Sequence, residues 1–173
     1  GVFVGMKAAA KKTYGNDSLE GRTVALQGVG HVGEYLLQHL LKEGANVFVS
    51  EYYEDHLKAI TNKYKVTPVS MDEIYDVDMD IYAPCALGGT LNNDTIDRLK
   101  CQIVAGAANN QLKDEDLHGK ALLERGILYA PDFAVNAGGV INCFSEVEGL
   151  SSEWALQKAQ DIYHTIYDIV ERS

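Results

Sequence analysis

Three glycines, Gly28, Gly30 and Gly33, stand at G-x-G-x-x-G spacing directly after an apolar run over 23–27 and directly before a helical pattern. A second apolar run, 46–50, ends at an acid, Glu51. The order suits a ligand carrying phosphate and ribose. Gly28 permits a sharp exit from a strand, Gly30 lets backbone approach a pyrophosphate with no Cβ between them, and Gly33 lets the helix pack closely on the strand. The helix start presents unpaired N–H groups and a positive dipole end to the phosphates. Glu51, at the tip of the second strand, is placed to accept ribose hydroxyls and to repel a 2′-phosphate, so the pattern predicts a dinucleotide site preferring NAD to NADP. The loop residues Val29, His31 and Val32, and Tyr52 beside the acid, complete the candidate contacts around these four. The plainer alternative is a glycine-rich turn of a parallel α/β domain that holds no ligand.

The elements that must position these residues alternate. Strands are expected at 23–27, 46–50, near 66–69, 79–83, 102–106 and 127–130, and helices at 1–14, 31–43, 55–64, 93–99 and 114–124. Such alternation predicts a Rossmann-type α/β fold, a doubly wound, mostly parallel sheet flanked by helices. The first helix shows Val2, Met6, Ala9 and Thr13 on one face, and it opens without a cap or leader, as if cut from a longer chain. From Val135 the chain reads as helical through Glu148, breaks at Gly149 and resumes at Ser152. That last amphipathic helix carries Ala155, Ala159, Ile162, Ile166 and Ile169 in a stripe that reads as core packing rather than a partner surface.

In an open parallel sheet, ligands sit beyond the carboxyl ends of the strands. Three further strand ends are unusual: Pro84-Cys-Ala-Leu-Gly88-Gly89, then Ala107-Ala-Asn109-Asn110, then Pro131-Asp132 leading to Asn136-Ala-Gly138-Gly139. Small residues leave room for a flat ring, and amides offer it neutral hydrogen bonds, so the edge outlines a nicotinamide slot. Each piece also has a structural explanation. The asparagines suit turns or caps, and paired glycines suit a close helix crossing.

With 173 residues, 46% hydrophobic and 23% charged, the chain has the composition of one globular domain. A net charge of −10 argues against sequence-independent binding to nucleic acid or an anionic membrane. No apolar run has the length of a membrane span. Cys85, Cys101 and Cys143 are odd in number, widely spaced and set among apolar residues, which predicts reduced core thiols of a cytoplasmic protein. The histidines show no metal-ligand spacing, and no metal is expected.

The runs GMKAAAKKTYG, ALQGVGHVG, DIYAPCALGG, GAANNQL and YAPDFAVNAGGVIN resemble the cofactor-binding domain of the Glu/Leu/Phe/Val dehydrogenase superfamily, nearest its leucine dehydrogenase branch. The resemblance covers essentially the whole chain. It implies oxidative deamination of an L-amino acid by NAD, giving a 2-oxo acid and ammonia. It also implies that the catalytic lysine and aspartate lie in a separate N-terminal domain, so this chain, a single NAD-binding domain, is expected to hold no catalytic residue and to be inactive alone. On the same ground Ala86 and Leu87 line the nicotinamide ribose, and Ala107, Ala108 and Asn109 meet the carboxamide and the substrate amine. Asn136 lies beside the nicotinamide, and Val140 with Cys143 form an apolar wall favouring a branched aliphatic substrate. The full-length protein is expected to be a homo-oligomer and this chain a monomer or weak dimer.

Two residues depart from that pattern. His31 replaces an asparagine and Cys143 a valine. At the helix start, His31 either protonates on pyrophosphate binding, strengthening it as pH falls, or simply faces solvent. Lys7 and Lys11 of the first helix read as solvated residues rather than bases. Competing functions are a phenylalanine or valine dehydrogenase domain, whose pocket partners lie mostly elsewhere, and a non-catalytic NAD-sensing module.

Overall fold

In the computed structural model, which describes residues 1–172 apart from the side chain of residue 142, six parallel strands form one sheet. They are β1 (Thr23–Gln27), β2 (Asn46–Ser50), β3 (Thr67–Pro68), β4 (Ile81–Pro84), β5 (Ile103–Val104) and β6 (Leu128–Tyr129), in the order β3-β2-β1-β4-β5-β6. The helices are α1 (Val2–Tyr14), α2 (His31–Lys42), α3 (Glu54–Lys63), α4 (Glu115–Glu124), α5 (Asp132–Val135), α6 (Ala137–Val147) and α7 (Ser152–Arg172). The strand order is that of the doubly wound fold, whose chain reverses direction between β1 and β4. It is this reversal that opens a crevice at the carboxyl edge.

Burial on both faces explains why the central strands read as continuous apolar runs. Val24, Leu26, Ile81 and Ala83 join the core with α1, α2 and α7, while Ala25, Tyr82 and Val104 join a second core with Ile74, Leu99 and Leu122. The Tyr82 hydroxyl donates to Gln27 Oε1 at 2.8 Å, and Gln27 Nε2 donates to the Tyr75 hydroxyl at 2.9 Å. The buried polar side chains of Gln27 and Tyr82 are thereby satisfied inside the sheet. Val2, Met6 and Ala9 of α1 face inward, and α7 buries Ala155, Ile162 and Ile166 along it, so the apolar stripe is core.

Several elements differ from expectation. The helix expected at 93–99 is only a 3-10 turn at Ile96–Arg98. Asn92 Oδ1 accepts from the Asp94 N–H at 2.9 Å and Thr95 Oγ1 accepts from the Asn92 N–H at 3.1 Å, local bonds that compete with a helical ladder. Strands expected at 102–106 and 127–130 pair over two residues each. The helix expected from Val135 to Glu148 divides at Asn136 into α5 and α6. Lys7 is not a solvated residue, for it is part-buried and paired with Glu43. Nor are all three thiols in the core: Cys101 is buried and Cys85 half-buried, but Cys143 is exposed on α6. Among the described residues no helix is long and apolar enough to cross a membrane.

Candidate functional site

The crevice is built from loops that touch. Gly28 leaves β1 with φ of 91°, in the left-handed region, and a Cβ on it would stand 2.5 Å from that of Ala86, at the end of β4. A Cβ on Gly33 would stand 2.2 Å from the Gly28 carbonyl oxygen, so α2 packs directly on the loop that precedes it. Gly30 is different. Nothing lies within 4 Å of a Cβ built there, and its φ of −61° is ordinary. The space is open, and no side chain caps α2. Its first-turn N–H groups are therefore left for an anion.

Glu51 is held beside this opening. Its Oε2 accepts from the Val29 N–H at 3.0 Å and its Oε1 from the Tyr53 N–H at 3.3 Å, with the side chain only 10% exposed. A carboxylate offers about four lone-pair directions, so two remain for ribose hydroxyls. His56 Nδ1 lies 3.8 Å from Oε2. Tyr52 and Tyr53 are both exposed, edge to face at 5.2 Å between ring centroids, on the outer side of the acid. His31 and Val32 are exposed at the start of α2, while Val29 is buried beneath the loop.

The other strand ends converge on a second group. A Cβ on Gly106 would meet the Pro84 carbonyl oxygen at 2.1 Å, and one on Gly88 would meet that of Asn109 at 2.7 Å, which locks the β4 and β5 loops together. Ala107 donates its N–H to Cys85 Sγ at 3.4 Å. Burial pushes the Cys85 thiol up to about 12, so it stays a protonated, unreactive packing group. Asn136 Nδ2 donates to Asn109 Oδ1 at 3.0 Å, bringing together two residues that are 27 apart in sequence. Ala108 is buried under them, whereas Ala86 and Leu87 project into solvent at the rim.

Two residues without a sequence assignment hold this group. Gln111 is fully buried, and its Nε2 donates to the carbonyls of Gly106 and Ala108, both at 2.9 Å. Asp132 Oδ2 accepts from the Gln111 N–H at 3.2 Å and ties the β5 loop to the start of α5. Nothing in the sequence marks Gln111 except its place after two asparagines at a strand end. Beside Asn109 and Asn136 lies an open, mostly apolar cavity of about 650 Å³, bounded by Gly138, Val32, Tyr35 and Leu156. Val140 and Cys143 do not line it; both are exposed on α6.

The residues present fit a dinucleotide. An open backbone cradle at an uncapped helix start would hold the pyrophosphate, and the held carboxylate would hold the ribose. The paired asparagines and small loop residues leave a slot at the far end.

Comparison with known proteins agrees with the fold. The family model described as glutamate/leucine/phenylalanine/valine dehydrogenase matches residues 49–171. The leucine dehydrogenase of Thermoactinomyces intermedius is 52% identical over 171 residues, covering 99% of this chain and 46% of the relative. The phenylalanine dehydrogenase of Lysinibacillus sphaericus is 44% identical over 178 residues, covering 100% of this chain and 46% of the relative. Among solved structures, the L-tryptophan dehydrogenase of Nostoc punctiforme superposes with a TM-score of 0.96 at 44% identity, over 98% of this chain and 52% of that one. The chain thus spans about half the length of the relatives it matches. On the matched residues, the identity and the shared architecture, the chain belongs to the glutamate/leucine/phenylalanine/valine dehydrogenase family.

Proposed function

We propose that the chain is the NAD-binding domain of an L-amino acid dehydrogenase that converts a branched-chain amino acid, leucine foremost, to its 2-oxo acid and ammonia. The observation that carries this reading is the open cradle at Gly30, set between an uncapped α2 and the held Glu51 carboxylate. Bound there, NAD supplies the acceptor for the hydride leaving the substrate Cα. The chain's own residues bind and orient. The first-turn N–H groups of α2 take the pyrophosphate, Glu51 takes the adenosine ribose, and Asn109 with Asn136 fixes the carboxamide end.

The acid and base chemistry belongs, on this reading, to residues outside the chain, so the domain alone binds cofactor without turnover. An apolar side chain on the substrate is supported by the apolar cavity beside Asn109 and by the names of the relatives at 44–52% identity, dehydrogenases of leucine, tryptophan and phenylalanine. Leucine is supported by the higher identity, 52% against 44%. Phenylalanine is the second reading, favoured by the breadth of the cavity. The buried thiols Cys85 and Cys101 support a reducing, cytoplasmic setting. Exposed Val140, Phe144 and Val147 on α6 offer apolar surface for the rest of a homo-oligomeric enzyme, and leave the chain alone a monomer or weak dimer.

Calorimetric titration with NADH and with NADPH tests this. Saturable binding of NADH alone supports the reading, equal binding of both removes the NAD preference, and no binding of either overturns the nucleotide role.

A further inference from the structure

His56 stands in the first turn of α3 with Nδ1 3.8 Å from Glu51 Oε2, and it is 39% exposed while Glu51 is 10% exposed. It is thus a titratable group within ion-pair reach of the carboxylate assigned to the ribose. Its surroundings are acidic. From α2, Glu34 senses its charge; hydrogen bonds from Lys63 and then Tyr64 hold the Glu34 carboxyl below the ordinary carboxylate range. From its own helix, Glu54 and Asp55 lie in the same turn, both paired with Lys58 at 3.9 Å. Glu51 and Glu34 thus face the imidazole, Glu54 and Asp55 precede it on the same helix, and Lys58 and Lys63 are engaged with carboxylates.

Rejection of a 2′-phosphate depends on negative charge at Glu51, because that phosphate itself carries about −1.5 to −2 at neutral pH. An imidazolium at 3.8 Å offsets the carboxylate charge and, half exposed, adds a cation at the rim where the 2′ substituent enters. We propose that His56 is a specificity-determining residue: charged, it relaxes the exclusion of a 2′-phosphate by Glu51, and neutral, it restores it. The inference rests on the dinucleotide reading above. It makes cofactor choice, rather than affinity for the dinucleotide as such, the property that follows the charge of this imidazole.

The test measures dissociation constants of NADH and NADPH at pH 6 and pH 8 for the unaltered chain and for His56→Gln. His31 opens α2, where the proposed pyrophosphate site is common to both nucleotides, so its charge acts on both alike and cancels in their ratio. Unit charges about 4 Å apart change an equilibrium by about fivefold in bulk water, and by more where solvent is partly excluded. The preference for NADH is therefore expected to shrink by about two- to fivefold more between pH 8 and pH 6 in the unaltered chain than in His56→Gln, the range for unit charges about 4–8 Å apart in water. The 2′-phosphate protonates in the same range, and that part persists in the variant. An equal change in both proteins overturns the role of His56. No preference at pH 8, or no binding of either nucleotide, overturns the underlying dinucleotide reading and this inference with it.

Discussion

Gly30 and Gly33 are three residues apart in one motif, and replacing them should do opposite things. A side chain at Gly30 enters open space at φ −61° and ψ −168°, a conformation ordinary residues adopt, and the Cβ of Gly30→Val has no neighbour within 4 Å. Its folding cost is that of an apolar N-cap, about 1 kcal/mol, which for a chain of this size lowers Tm by roughly 2–4 °C. The same isopropyl group fills the approach to the α2 N–H groups. Losing one or two charge-assisted hydrogen bonds, each about 1.5–3 kcal/mol, weakens NADH binding by about 10-fold to about 10,000-fold. Gly33→Ala places its Cβ 2.2 Å from a backbone oxygen that cannot swing aside. Overpacking of this kind costs about 3 kcal/mol, or roughly 6–12 °C. Thermal melts by circular dichroism and NADH titration by calorimetry separate the two. A Gly30→Val protein that keeps NADH affinity within about threefold, or that melts as low as Gly33→Ala, refutes the assignment of the open cradle to the pyrophosphate.

Three other outcomes follow from the same geometry. Gln111→Leu strips the Gly106 carbonyl of its side-chain donor in a buried loop and leaves that of Ala108 only the 3.4 Å bond from Asn136 Nδ2, costing about 1–3 kcal/mol, and hydrogen exchange should quicken first at residues 106–111; unchanged protection there would contradict the role given to this amide. The Arg98 guanidinium hydrogen-bonds Asp72 and Asp76 and holds both carboxyls below their usual range. Groups so depressed contribute stability above the ordinary carboxylate range that is lost as pH falls through their folded values. Arg98→Met should therefore flatten part of the decline of Tm below about pH 4, an effect read by melts at stepped pH. Finally, burial pushes the Cys85 and Cys101 thiols up to about 12 and leaves Cys143 exposed. An aromatic disulfide reagent at pH 8 should label one thiol quickly, and none quickly in Cys143→Ser.

The elements near the crevice were legible because their signals are local. The apolar runs at 23–27 and 46–50 became strands with the same bounds, since burial on both faces demands uninterrupted apolar residues. Gly44, with φ of 86°, follows the last turn of α2 as its sequence position predicts. Farther along the chain the signals compete. Asn92 and Thr95 satisfy their own backbone and shorten a helix to one 3-10 turn, and β5 and β6 pair over only two residues.

The candidate site divides along the same line. Gly28, Gly30, Gly33 and Glu51 were legible because spacing alone places them, each near the end of a strand or the start of a helix. Gln111 and His56 were not, because what distinguishes them is tertiary: one is an amide sunk among loop carbonyls, the other an imidazole brought to a carboxylate by the β2–α3 turn. The meeting of Asn109 with Asn136 depends likewise on α5 folding back across the β5 loop. Val140 and Cys143 fall on the opposite side of that divide. Their apolar character suits a pocket wall, yet on α6 they are exposed, because Gly138 and not these two turns toward the cavity. On the proposed function, selection among apolar side chains would rest, within this chain, on the cavity-lining surfaces of α2 and α7 rather than on the outer face of α6. An exchange at Leu156, which bounds the cavity, should shift substrate preference in the whole enzyme more than one at Cys143. Comparing kcat/KM for leucine and phenylalanine in Leu156→Ala and Cys143→Ala decides it, and a larger shift from Cys143→Ala would return the pocket wall to α6.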